Sequence, residues 1–274
     1  MAKKSTPAFS LGVPLQEKSQ FLKVLLYGRQ GTGKTTAAAA AAELGPVLVI
    51  DAEGGLRVRA LSSLGIDTSQ ITAWPGDGSR ITAQSLSELH EHLAANPEMF
   101  TTIVFDSITE IHHILRENAT AQRVDQSRVV LDPDYVDRDD YNKMTTQLRR
   151  LIRLFRDLPC HIVFTALERY EDSGEIRPSL SPALGNDLMG YVDTVGRTAV
   201  FQGRHVARFE PTEAINAKDR DNALPPILAN PTFTRLLAIT SGTMDIETDP
   251  EQLEFLEAAK AANISPTPTP NTKK

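Results

Sequence analysis

The sequence predicts an α/β fold with a largely parallel central sheet flanked by helices and an antiparallel hairpin near its carboxyl end. Three observations predict it. Apolar β-forming runs alternate with helical segments along most of the 274 residues, the order that builds a parallel sheet covered on both faces. The stretch Gly28-Arg29-Gln30-Gly31-Thr32-Gly33-Lys34-Thr35 has the G-x-x-x-x-G-K-T spelling of a polyphosphate-binding loop between a strand and a helix. Finally, Thr102-Ile103-Val104-Phe105-Asp106-Ser107 is an apolar strand with a carboxylate at its tip, the Walker B pattern, in which the acid holds Mg²⁺.

Taken in order, residues 1–20 carry Pro7 and Pro14 among scattered polar residues and read as an amino-terminal arm. Residues 21–27 read as a buried strand. Thr36 and the alanines over 37–42 read as a helix, since alanine is the strongest helix former. Gly45-Pro46 stops that helix, and residues 47–50 start a second buried strand. It ends in Asp51-Ala52-Glu53-Gly54-Gly55, which sets two carboxylates at the edge where open α/β sheets hold their ligands. A helix over 56–64 is closed by Gly65, a short strand covers 71–74, and Pro75-Gly76-Asp77-Gly78 is a turn. Residues 85–95 form an amphipathic helix with Leu86, Leu89 and Leu93 on one face. His90, His92 and the pair His112-His113 lack metal-ligand spacing and read as solvated surface.

Residues 116–140 mix arginines and aspartates with little hydrophobicity and read as a long loop of the kind that is often functional. A helix over 141–158 follows, with Met144, Leu148, Leu151, Ile152 and Phe155 on one face and Arg149, Arg153 and Arg156 on another, Arg150 beside them. That basic face is either solvated or a contact for a phosphate backbone. Residues 161–166 make another buried strand, with Cys160 at its start reading as core. Residues 168–187 read as loop and 186–191 as a short helix. Residues 194–200 and 204–209 form a hairpin around Gln202-Gly203. The core therefore spans 21–240. A helical extension covers 241–264, begun by Asp249-Pro250-Glu251-Gln252, and a Pro- and Thr-rich disordered tail covers 265–274.

Composition narrows the function. The chain is 41% hydrophobic and 23% charged with net charge −6, which excludes a generally basic nucleic-acid coat and leaves any such contact to local patches. A single cysteine excludes an internal disulfide and fits a reducing compartment. No stretch is apolar for long enough to span a bilayer, so a cytoplasmic protein with no membrane partner is expected.

The loop's chemistry explains its spelling. Its glycines let backbone N–H groups face a polyphosphate, and the helix start adds partial positive charge. Lys34 can reach the β- and γ-phosphates, and the Thr35 hydroxyl can bind Mg²⁺ with Asp106. Gly28, Arg29, Gln30, Gly31, Thr32, Gly33, Lys34, Thr35 and Thr36 are the expected nucleotide-binding set, with ATP and Mg²⁺ as cofactors.

These residues resemble the RecA-type recombinase ATPase core over roughly residues 20–220. Val49-Ile50-Asp51-Ala52-Glu53 is similar to that family's second strand, Leu64-Gly65-Ile66-Asp67 and Trp74-Pro75-Gly76-Asp77 to its following pattern, and Phe105-Asp106-Ser107 to its Walker B ending. Gly185-Asn186-Asp187-Leu188 is similar to the helix start after its second DNA-binding loop. The short phage-encoded recombinases and single-strand annealing proteins, which keep this core and lack a large amino-terminal domain, are the most similar of that family. The resemblance implies a RecA-like P-loop NTPase in which Glu53 activates the attacking water; by its position alone Glu53 could instead cap the next helix. It implies DNA-binding loops at about 117–140 and 169–185, with Arg123, Arg128, Arg169, Arg177 and Asn186 as contacts. Lys218 and Arg220 look like the basic pair that reaches a neighbouring subunit's γ-phosphate, although two surface charges after a strand also have an ordinary explanation.

Two departures stand out. The glutamine that senses the γ-phosphate is missing from the strand end Phe164-Thr165-Ala166-Leu167-Glu168, so either Thr165 or Glu168 substitutes or sensing is lost. The base-stacking tyrosine has no counterpart near residues 57–60, and stacking on DNA would rest on Tyr170, Tyr135 or none. The leading expectation is an ATP-dependent recombinase or annealing protein that oligomerises on single-stranded DNA with ATP at subunit interfaces. A single-strand-binding protein is a further partner, and a bacterial host cytoplasm is the setting if the gene is carried by a phage. The alternatives are a RecA-like ATPase switch or loader that does not touch DNA, and a nucleotide-binding structural protein without turnover.

Overall fold

The computed structural model describes residues 21–127, 132 and 135–261. The arm over 1–20, the tail over 265–274 and Arg128 lie outside them. Six parallel strands form the middle of the sheet: β1 (Lys23–Gly28), β2 (Val47–Asp51), β3 (Ile71–Trp74), β4 (Thr102–Asp106), β5 (His161–Tyr170) and β7 (Thr194–Phe201). With the antiparallel strands β8 (Arg204–Arg208) and β10 (Ile227–Ala229), the order is β10-β8-β7-β1-β5-β4-β2-β3. The short strands β6 (Ile176–Pro178) and β9 (Lys218–Asp219) pair antiparallel with β5 and β7. The largely parallel sheet and the hairpin at β7–β8 agree with the expectation from sequence.

The two faces follow from strand alternation. Leu25, Tyr27, Leu48, Ile50, Ile103, Phe105, Ile162 and Phe164 point to one face. There they meet α3 (Ala83–Ala95), α4 (Ile108–Gln126), α5 (Arg138–Arg156) and α6 (Pro182–Tyr191). Val24, Leu26, Val47, Val49, Val104 and Val163 point the other way. They pack on α1 (Lys34–Ala39), on Leu61 of α2 (Val58–Ser62), and on Phe233, Leu236 and Ile239 of α7 (Phe233–Thr240). Phe105 touches both Phe155 and Phe164 at the centre of the first face. A final helix, α8 (Pro250–Ala261), closes the β10 edge through Phe255 and through Gln252, whose amide bonds both ways with β10.

Four sequence expectations need correction. Residues 116–126 are not loop: α4 continues through them because Ile108, Ile111, Leu115 and Ala119 repeat at helical spacing and are buried. The charged residues that suggested a loop are its outer face. Helix α5 begins at Arg138, not at 141, with Asp137 and Asp140 forming a reciprocal capping box. In place of a loop over 168–187, β5 runs on to Tyr170, β6 pairs with it, and α6 starts at Pro182, where a proline is well tolerated at a helix's first turn. His112 is not solvated: it is buried, edge-on to Tyr141, and burial pulls its pKa down to about 4. His90 is half-buried against Phe155.

Candidate functional site

Parallel pairing brings the ends of β1, β2, β4, β5 and β7 to one edge of the sheet. Gly28 is level with Leu167 and Thr198, and Asp51 is level with Asp106. The loop Gly28 to Thr35 leaves that edge. A side chain at Gly28 would collide with β7, its Cβ falling on the Thr198 hydroxyl and carbonyl oxygens, so only glycine fits. Gly33 has φ of 86° and lies against His205 of β8, 3.0 Å from its Nδ1 at the Cβ position. Thr32 donates to or accepts from Thr198 at 2.7 Å and donates to the Arg29 carbonyl at 2.8 Å, which fixes the loop from within. Gln30 and Gly31 form its exposed tip. Gly33 is followed directly by α1, with the Ala37 amide donating to the Gly33 carbonyl at 2.8 Å and Thr36 half-buried in its first turn.

Lys34 is buried and donates to the carbonyls of Gly28 at 3.0 Å and Arg29 at 2.7 Å. Burial lowers its pKa, opposed by the charges of Glu53, Asp106 and Glu168. Asp106 is 3% exposed and accepts from two hydroxyls, Thr35 at 2.8 Å and Thr165 at 2.5 Å. Burial raises its carboxyl above the usual range, the two hydroxyls pull it down, and Glu53 and Asp51 push it up again. A hydroxyl and a buried carboxylate in contact are hard oxygen donors of the kind Mg²⁺ prefers, and a cation would relieve the uncompensated charge on Asp106.

Glu53 is exposed on the turn after β2 and accepts from the Ser107 hydroxyl at 2.5 Å. Ser107 in turn caps α4, accepting from the Glu110 amide. The helix-capping alternative for Glu53 has no counterpart here: Asp51 receives the amides of Gly55 and Leu56 in that turn, and Arg57 is the residue that opens α2. Thus Thr35 and Thr165 share the Asp106 carboxylate in one corner, with Glu53 held beside it by Ser107 and Lys34 close enough to feel the charges of Glu53 and Asp106.

Glu168, offered with Thr165 as a stand-in for the missing glutamine, is a junction. Its side chain is 2% exposed and holds Arg197 of β7 at 2.9 Å, Arg29 of the loop at 3.2 Å and the Tyr170 hydroxyl at 3.1 Å. Arg29 also donates to the Tyr170 hydroxyl at 2.9 Å, and its guanidinium lies 5.5 Å from that ring's centre. Arg197, Thr198 and His205 were not foreseen from the sequence, because each meets the site only through strand pairing distant in sequence, and Ser107, named there beside Asp106, was given no role of its own.

The residues expected on DNA divide into two groups. Arg169 and Arg177 face each other directly across β5 and β6, and with Ser181 and Asn186 they line a shallow depression at the start of α6. Each arginine carries its own acid, Glu171 for Arg169 and Glu175 for Arg177 at 3.0 Å. Arg123, by contrast, is bound to Asp140 at 2.8 Å and to the Tyr135 carbonyl, tying α4 to α5. Tyr135 and Tyr170 are both exposed. Lys218 and Arg220 lie at the opposite edge of the sheet, where β9 pairs with the beginning of β7. Lys218 donates to the carbonyls of Met189 at 3.1 Å and Val192 at 2.7 Å, and Arg220 pairs with Asp193 at 2.6 Å.

Residues 20–221 match the model of a family described as an AAA domain, AAA_24, a span that holds every residue of the corner. The crystal structure of the RadB recombinase is similar over 69% of this chain and 83% of its own, with 16% identity and a TM-score of 0.45. No curated protein sequence matches the chain.

Proposed function

The chain belongs to the AAA domain family, and from that premise we propose that it is a Mg²⁺-dependent ATP hydrolase that binds single-stranded DNA and assembles on it. Recombination or strand annealing is the process it would serve, and a phage is the fitting source. One observation carries the hydrolytic reading: the Thr35–Asp106–Thr165 contacts stand beside Lys34, with Glu53 turned onto Ser107.

Each of these residues has a task in that reaction. The loop amides and Lys34 hold the triphosphate, Lys34 exchanging two carbonyl oxygens for phosphate oxygens. Thr35 and Asp106 would hold Mg²⁺, which when bound neutralises charge on the β- and γ-phosphate oxygens. Thr165 fixes the Asp106 carboxylate. Glu53, steadied by the Ser107 hydroxyl, orients a water in line with the γ-phosphorus and accepts its proton. The water oxygen bonds to phosphorus as the bond to the bridging oxygen breaks, and ADP leaves with that electron pair.

The Arg29–Glu168–Tyr170 contacts supply a route to DNA. They join the phosphate loop to the base of the β5–β6 hairpin, which carries Arg169 and Arg177. Two arginines in direct cross-strand register repel, and an incoming phosphate diester between them removes that cost. Asn186 at the same depression supplies a neutral donor. ATP at an interface between copies of the chain would meet Arg220, half-exposed beyond its bond to Asp193, while Lys218 serves as the carbonyl cap of α6.

Binding of single-stranded DNA, measured by fluorescence with and without a slowly hydrolysed ATP analogue, tests this. The expected result is tighter binding with the analogue; equal binding in both conditions removes the coupling of DNA binding to ATP, and no binding in either removes the DNA half of the proposal. The second reading, an ATPase switch or loader that acts on a protein, is favoured by one observation: Arg123, Arg169 and Arg177 are each already paired with an acid. Turnover stimulated by a protein and not by DNA would select it.

A further inference from the structure

Helix α5 differs from its neighbours in charge. Between Asp140 and Asp157 it has no acidic residue, while Lys143, Arg149, Arg150, Arg153 and Arg156 all lie in that interval. Met144, Leu148, Leu151, Ile152 and Phe155 face the core. Lys143, Thr146, Arg150 and Arg153 stand on the opposite side, at steps of three and four residues, and all four are exposed. They form one straight ridge. At about 1.5 Å of rise per residue, Lys143 to Arg153 covers roughly 15 Å.

Of the acids around the ridge, Asp187 and Asp157 are occupied by arginines that are not on it, and the exposed Asp139 stands one turn before Lys143 on the same line. Arg149 holds Asp187 at 2.6 Å, and Arg156 holds Asp157 at 2.7 Å while its guanidinium lies 5.3 Å from the centre of the Tyr191 ring. Lys143 donates only to the neutral Gln122. Arg150 and Arg153 have no hydrogen bond or ion pair among the described residues. Like charges three residues apart on a helix repel, so the ridge costs the free protein stability that a linear polyanion would return. The chain as a whole carries net charge −6, so this field is local.

We propose that the Lys143–Arg150–Arg153 ridge is a second phosphate-backbone track for nucleic acid, separate from the Arg169–Arg177 depression and engaged whether or not ATP is bound. The inference rests on the DNA-binding reading above. Its occupant is nucleic acid because the cations are collinear and two are guanidinium groups, which take phosphate oxygens in pairs. The Arg149–Asp187 bond joins α5 to α6, whose start lines the depression. The track reads charge and carries no base sequence.

Anisotropy of a labelled single-stranded oligonucleotide, titrated over a salt series without nucleotide, tests the ridge. Arg150→Gln/Arg153→Gln should flatten the slope of log affinity against log salt by about 1.4, at about 0.7 for each phosphate no longer neutralised. Arg150→Lys/Arg153→Lys should restore it. The ATP-analogue gain in binding should survive in both variants, and neither should melt below the wild type. A wild-type slope in the Gln variant overturns the ridge and leaves the depression standing. No DNA binding by the wild type in any condition overturns both. Loss of poly-glutamate binding with an unchanged DNA slope would assign the ridge to an acidic protein instead.

Discussion

The phosphate-loop corner and the Arg169–Arg177 depression stand near the same edge of the sheet but are held by different forces. The corner is built from main-chain turns, buried hydroxyls and a nearly inaccessible carboxylate. Little in it can move without breaking a buried hydrogen bond, and such bonds are costly to leave unmade. The depression is built from partly exposed ion pairs, Arg169 with Glu171 and Arg177 with Glu175. Exposed pairs are worth little net and exchange readily for another anion. The difference teaches a division of labour: the corner is preorganised for one ligand, and the depression is poised to change partners. Glu168 and Arg29 form the bridge between them.

The largest effect expected from this contrast is at Lys34. Lys34→Ala should lower ATP turnover at least ~100-fold, as loss of one preorganised charged donor does. Charge-removing variants of Arg169 and Arg177 should leave basal turnover within about twofold, on the rule that exposed pairs carry little energy. A steady-state phosphate-release assay on both variants makes the comparison. Equal losses would break the division.

Next is the bridge. Glu168→Gln leaves Arg197 without its partner in a buried setting. We expect a loss of about 2 kcal/mol in denaturant unfolding, in the range for a hydrogen bond to a charged group. The analogue-dependent gain in DNA binding should shrink while nucleotide affinity holds, and an intact gain would show that the bridge carries no coupling.

The smallest effect has the opposite sign. Because burial raises the folded pKa of Asp106 above its unfolded value, its contribution to stability is fully present below the unfolded pKa and is lost as pH rises through the folded one. At neutral pH the charged carboxylate is therefore a liability in the nucleotide-free fold. Asp106→Asn should raise the melting temperature by about 2–4 °C, the shift that ~1 kcal/mol gives a domain of this size. The gain should fade toward acid pH while turnover is lost. A melting temperature that falls at neutral pH would mean the hydroxyl contacts, and not the buried charge, dominate there.

The corner was legible in the sequence because its chemistry is local. The spacing from Gly28 to Thr35 prescribes a loop, and the apolar run into Asp106 prescribes a strand tip, so parallel pairing had only to bring them together. The depression's surroundings were not legible for the same reason inverted. Charged residues over 116–126 hid the buried stripe Ile111, Leu115 and Ala119. Residues 168–187 read as loop although Pro182 opens a helix within them. Glu168 looked like the start of a loop, and only the pairing of β5 with β1, and of β1 with β7, reveals Arg29 and Arg197 as its partners. His112 looked like one of an exposed pair because α5, which covers it, comes later in the chain.

In the proposed reaction Glu53 is the residue that handles the attacking water. Single-turnover hydrolysis of bound ATP by Glu53→Gln, alongside direct measurement of nucleotide binding, tests this most directly. The predicted result is wild-type affinity with hydrolysis slowed about 10²–10⁴-fold, the usual contribution of a positioned base. Wild-type hydrolysis by a variant that binds ATP normally would contradict it.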